Sequence, residues 1–352
     1  MDFFRSQKMR NRKSAKRVLA GVLFSVAHAG LGVDQAISAE TNLLLQLVGD
    51  VPLGGNTTRL DYASIDPDRH LLFIAHLGDS AVIVFDTKAQ RVVSRIANVS
   101  SPHGVLVIPS LGKVYASATG SNEVVEIDET TLQIAARVPG GVYPDGMAYA
   151  PEVHKLYVSD EHGATDAVID VNTNKRVATI PLGGDVGNTQ YDPVSKHIFA
   201  NVQTRAQLVE IDPATDKVVD RIDLPGAKGN HGLLIDPEQQ RAFIACEEND
   251  KLFVLDLRTK KVIATYDVGK GPDVLALDPE QHRLYVAGEA GTTSIFRTAL
   301  MRAEKNGDVK IGPNAHVVAV DPTTHWVYFP LLNSGGHTAL RIMRPTSDAP
   351  GR

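Results

Sequence analysis

The chain has a single cysteine, Cys246, in 352 residues, so no disulfide can form within it. It has no excess of positive charge either: 36 Lys and Arg stand against 41 Asp and Glu, a formal net charge of −5. Nucleic-acid binding needs a basic footprint, and this balance argues against one. Several catalytic signatures are missing as well. There is no Gly-x-Ser-x-Gly elbow for a serine hydrolase and no His-Glu-x-x-His zinc motif. No phosphate-binding loop or dinucleotide fingerprint surrounds Gly183-Gly184 or Gly335-Gly336, so those glycines read as turns and neither nucleotide nor flavin is expected. Apolar residues at a 3.6-residue period are absent, which excludes a helical solenoid.

The N-terminal 39 residues differ from the rest. Arg5, Lys8, Arg10, Arg12, Lys13, Lys16 and Arg17 form a basic run, and an apolar stretch follows from Val18 to Val33. Small residues at Ala27-His28-Ala29 and Ala36–Ala39 offer cleavage sites, the anatomy of a secretory signal peptide. The stretch is short for a spanning helix, although an uncleaved anchor is the alternative. We therefore expect residues 1–39 to be a signal peptide, residues 40–352 to be the mature domain, and the periplasm to be its destination. Cleavage removes seven basic and two acidic residues and leaves 29 against 39. A mature domain near −10 disfavours nucleic acid and anionic lipid and suits metal ions or cationic partners.

What is present is a repeat. A proline in a tight turn, followed six residues later by an aromatic in an apolar run, occurs seven times. The prolines are Pro67, Pro109, Pro151, Pro193, Pro237, Pro279 and Pro322, spaced 42 to 44 residues apart. Within the third copy, Gly146–Ala150, Leu156–Val158, Ala167–Asp170 and Val177–Ile180 read as four short strands separated by turn residues. Four strands per copy and seven copies predict an all-β fold, a seven-bladed β-propeller. The seventh copy ends after three strands, and the unassigned Leu43–Val48 is expected to supply the fourth and close the ring. In the sixth copy an insertion at Leu300–Lys305 is expected to form a loop or helical turn, and Trp326 is read as blade-seven core.

Pro102-His103-Gly104-Val105, Pro144-Asp145-Gly146-Met147 and the recurring Asp-Pro…Leu-Tyr-Val-Ala elements resemble the YVTN-repeat propellers, the YncE-like bacterial periplasmic group. The resemblance spans essentially residues 43–345. It implies a secreted or periplasmic propeller and leaves function open, because fold does not dictate chemistry.

The repeat also allows equivalent positions to be compared. Six residues before each marker proline stand Asp61, His103, Asp145, Gly187, His231, Asp273 and His316. Three His, three Asp and one Gly at one register predict a ring around one mouth of the central channel. Loops after the second strands are expected to open on the same face, bringing His76, Glu161, His162, Arg205, Glu247, Glu248 and Glu289. Imidazole with carboxylate suits zinc, copper, nickel or iron, so His103, His231, His316, Asp61, Asp145 and Asp273 are the candidate ligands of a divalent metal ion. The plainer alternative is a wet channel mouth lined with polar side chains that bond neighbouring backbone. His70, His154, His197, His282 and His325 fall in turns on the opposite face and read as solvated repeat chemistry. Cys246 stands beside Glu247 and Glu248, which disfavours a reactive thiolate.

Two functions follow as expectations. One is a monomeric periplasmic binding or scaffold protein that presents the funnel to a metal ion, small ligand or protein partner. The other is a metal-dependent hydrolase, such as a lactonase, in which an axial ion activates water.

Overall fold

The structure, a computed structural model, describes residues 44–298 and 302–346. The expected signal segment 1–39 lies outside the described residues. Seven four-stranded antiparallel sheets form the seven blades of a β-propeller. Blade one is β2 (Ala63–Asp66), β3 (Leu71–His76), β4 (Ala81–Asp86) and β5 (Arg91–Ala97). Blades two to six follow with β6–β9 (residues 102–139), β10–β13 (144–181), β14–β17 (186–223), β18–β21 (230–267) and β22–β25 (272–310). Blade seven takes β26 (Ala319–Val320), β27 (Val327–Ser334) and β28 (His337–Pro345) from the C-terminus, and its outer strand is β1 (Leu45–Pro52). β1 pairs antiparallel with β28 from Leu45↔Pro345 to Pro52↔Ala339, so the N-terminal strand closes the ring.

Each blade repeats the same local chemistry. In each blade an aspartate at a turn accepts backbone N–H groups from the residues just after it; Asp66 takes those of Asp68 and Arg69 at 2.9 and 3.1 Å. Three residues after the marker proline the backbone turns left-handed, at His70, Gly112, His154, Lys196, Gln240, His282 and His325. Four of the five turn histidines sit at that position. The exception is His197, which opens β15 (His197–Val202) and places Nδ1 2.6 Å from Glu210.

Six residues after each proline, Phe73, Tyr115, Tyr157, Phe199, Phe243, Tyr285 and Tyr328 are buried between blades. Truncating such an aromatic costs about 3–5 kcal/mol, so this one repeated position carries much of the inter-blade packing.

Two expectations need correction. The sixth-blade insertion is confined to the connection before β25 (Glu304–Lys310), because Glu304 and Lys305 already belong to that strand, opposite Arg297 and Phe296. Residues 299–301 lie outside the described residues. Trp326 is only partly buried and packs against the edge of the cluster shared by blades one and seven.

Candidate functional site at the channel mouth

The innermost strands of blades two to six carry a bulge at one register. In β10 (Pro144–Ala150), Pro144 pairs with Asp160 and Met147 with Val158, so Asp145 and Gly146 together face Ser159. The same shift falls between Pro102 and Val105, Val186 and Thr189, Asn230 and Leu233, and Pro272 and Leu275. A bulge re-aims the side chains at it. The re-aimed residues here are His103, Asp145, Gly187, His231 and Asp273.

The glycine that follows allows the next blade to come close. A Cβ on Gly104 would meet the Asp145 carbonyl oxygen at 2.2 Å, and one on Gly232 would meet that of Asp273 at 2.0 Å. The Pro-x-Gly pattern is therefore a packing device that crowds the ring residues together.

The ring opens into a cavity of about 330 Å³ lined by Asp61, His103, Asp145, His231 and Asp273 together with Glu161, Glu247 and Glu289. His316 adjoins it, 1% exposed, with Nε2 3.9 Å from Asp61 and 4.0 Å from Asp273. His231 Nε2 lies 3.7 Å from Asp145 and 3.8 Å from Asp273. Two groups of ligand atoms come together closely enough to hold a metal ion: Asp61, Asp273 and His316, and His231, Glu247 and Asp273.

The histidines differ in protonation. His316 Nδ1 is 3.1 Å from the Asn314 carbonyl oxygen, which can only accept, so Nδ1 carries the proton. Its Nε2 is buried and has no hydrogen-bond partner. His103 is placed alike by the Ser101 carbonyl at 3.2 Å, but Tyr143 Oη, 2.9 Å away, donates to its Nε2. Burial lowers the His103 pKa to about 4. With both nitrogens engaged, His103 stands outside both ligand groups.

Gln203 donates to Glu161 at 3.1 Å, and the same amide nitrogen lies 3.1 Å from His231 Nδ1. The His231 Nε2 stands 3.1 Å from Tyr62 Oη. Burial would depress the His231 pKa, yet Asp273, Glu247, Asp145 and Glu161 outweigh it and raise it to about 9.

The carboxylates are under strain of the opposite kind. Burial, with Asp273 adding to it, lifts Asp61 to about 7, and burial lifts Asp145 to about 8. Glu247 rises to about 7, again chiefly by burial. One oxygen each of Asp145 and Asp273 is buried without a hydrogen-bond partner. Buried lone pairs of one sign facing a shared space are costly unless a cation or protons neutralise them.

Four sequence candidates lie outside the cavity, among them Glu248, which is exposed in a neighbouring depression beside Arg205. His76 is fully buried within blade one, 3.0 Å from Thr58 Oγ1 and 3.0 Å from Arg95. His162 is exposed and stacks on Tyr143, ring centres 4.4 Å apart. Arg205 is exposed on the rim and donates to the Gly183 carbonyl.

The cation in the funnel is Arg59 instead, with Nη1 2.7 Å from Glu289 and Nε 3.4 Å from Asp61. Arg59 and Tyr143 both stand two residues before a ring position, where the other copies have Ser101, Asp185, Gly229, Gly271 and Asn314. Reading that register would have found them. The register ten residues after the proline holds Gln203 and Thr119 beside Glu161, Glu247 and Glu289, so it supplies the partners of His231 and His103 as well. Cys246 is buried and its pKa is raised to about 12, mainly by burial and only secondarily by Glu247.

No family model and no curated protein matches the sequence. Among solved structures, Kuenenia stuttgartiensis hydrazine synthase superposes with a TM-score of 0.72. The match is 18% identical in sequence and covers 90% of this chain and 100% of that one. A likeness at that identity shows the fold alone.

Proposed function

We propose that this chain is a periplasmic binding protein whose channel mouth takes up a divalent cation. The observation that carries the reading is His316 Nε2, buried without a hydrogen-bond partner and faced by Asp61 and Asp273. Two carboxylates and one imidazole form a mixed oxygen and nitrogen ligand set suited to zinc, manganese or iron. The Asn314 carbonyl plays the outer-shell part, fixing the tautomer of the ligating ring. The basic and apolar N-terminal segment supports export. The seven-fold proline and aromatic signature supports a place among the YVTN-repeat, YncE-like propellers.

The test is elemental analysis of the protein purified from the periplasmic fraction without chelator or immobilised nickel. The same assay is run on His231→Ala/His316→Ala. Bound metal that disappears in the variant, with the β circular-dichroism signal retained, supports the reading. Metal-free protein that takes up none on addition overturns it.

A second reading rests on the cavity itself. The cavity of about 330 Å³ has Arg59 and Tyr62 as donors at its wall. That space admits a small oxygenated substrate beside an ion, as a metal-dependent hydrolase requires. Turnover of model lactones by the metal-loaded protein, lost in Asp273→Asn, separates the enzyme from the binder.

A further inference from the structure

Asp273 is common to both ligand groups, and its two oxygens face different histidines. Oδ1 lies 3.8 Å from His231 Nε2, while Oδ2 lies 4.0 Å from His316 Nε2. A carboxylate turned this way has the geometry of a bridge. We propose that the mouth holds two divalent cations, one on Asp61, His316 and Asp273 Oδ2 and one on His231, Glu247 and Asp273 Oδ1. This rests on the cation-binding reading above and goes beyond it in number, ligands and order of filling.

Four observations support a pair of ions. Each group contributes one imidazole and two carboxylates, so the halves are chemically alike. Each group's ligand atoms lie within 4.8 Å of one another, so a shift of a few tenths of an ångström brings them within the roughly 4.4 Å that metal–ligand bonds of about 2.0–2.2 Å span around one ion. Two ions bridged by one carboxylate stand about 3.5–4 Å apart, a span that a single Asp273 can serve. The unpartnered oxygens of Asp145 and Asp273 and the bare His316 Nε2 mark the space as unsatisfied by protein donors alone.

The two sites fill in sequence. His316 Nε2 has no hydrogen bond to break, so its site accepts an ion without rearrangement. His231 Nε2 is engaged by Tyr62 Oη, and the second ion must break that 3.1 Å bond.

The experiment is equilibrium dialysis of the full chain against Mn²⁺ after chelator treatment, with bound metal counted per chain and the Mn²⁺ EPR spectrum recorded. Two ions per chain with a spin-coupled spectrum at saturation are expected. Glu247→Gln should retain one ion and show an uncoupled six-line spectrum. Asp61→Asn should also lose one ion, and Asp273→Asn should weaken both sites at least tenfold. One ion per chain, uncoupled, overturns the bridged pair but leaves the cation-binding reading standing. No bound ion removes both. Two ions that persist unchanged and coupled in Glu247→Gln overturn the ligand assignment. If a variant fails to fold, the stoichiometry and coupling of the unsubstituted chain decide.

Discussion

His316 and His103 occupy the same register and both turn Nδ1 to a backbone carbonyl, yet only His316 leaves Nε2 without a partner, because Tyr143 caps His103. A single neighbour two residues before the next ring position thus decides which imidazole can ligate. Protonation sets the working range. Asp61, Asp145 and Glu247 keep protons to about 7, 8 and 7 respectively, and a bound cation must displace them. Cation affinity should therefore climb between pH 6 and pH 8, which calorimetry at several pH values measures.

The stability of the metal-free protein runs the other way. These carboxyls hold protons in the folded state that the unfolded chain releases from about pH 4, so stability is lost as pH rises toward 8. Thermal melts should be lower at pH 8 than at pH 6, and added metal should close the gap. Arg59 opposes an incoming cation. Arg59→Gln should tighten cation binding by up to roughly tenfold, the equivalent of about 1.4 kcal/mol for one unit charge removed nearby. Weaker binding in that variant would show that Arg59 instead organises Asp61.

At the scale of the strand, the bulge and its glycine make the site. Gly232→Ala would drive a Cβ to 2.0 Å from the Asp273 carbonyl, and backbone cannot yield as a side-chain tip can. Urea unfolding should report a loss of about 3 kcal/mol or more. The control is Gly112→Ala, with open space around it and φ of +61°, which should cost only about 1–2 kcal/mol. A second strand-level test concerns Asp166 on β12 (Thr165–Asp170), fully buried and held by Thr189 Oγ1 at 3.3 Å. Burial raises its pKa to about 7. The native state thereby loses of order 4 kcal/mol as pH rises from about 4 to 7. Asp166→Asn cannot ionise, so the difference in melting temperature between pH 5 and pH 8 should shrink. An unchanged difference would show that Asp166 does not contribute.

For the whole molecule, ring closure is the weak point and β1 is its fastener. Leu45 is buried among Val327, Phe329 and Met343, and Asp50 pairs with Arg341 at 2.6 Å. Leu45→Ala should cost about 2–4 kcal/mol. Removing residues through Pro52 should lower the melting temperature sharply and promote association through the bared edge of β28.

This closure was legible in the sequence because a seven-fold repeat counts its own strands and shows which is missing. The ring register was legible for the same reason, since a position read seven times averages out local noise. Arg59, Tyr62 and Gln203 were not read. Each is the odd residue at its register, and its role lies in a contact across blades that no single copy contains. His76 and Arg205 misled in the converse way. They follow the right strands, but their side chains turn into blade one and out to the rim.

A crystal soaked in Mn²⁺ decides whether a divalent cation sits at the channel mouth. Anomalous difference density is expected within about 2.0–2.3 Å of Asp273 and His316, with a second peak toward Glu247 at higher metal. Density that is absent from the mouth, or that appears only at surface carboxylates, would contradict that site.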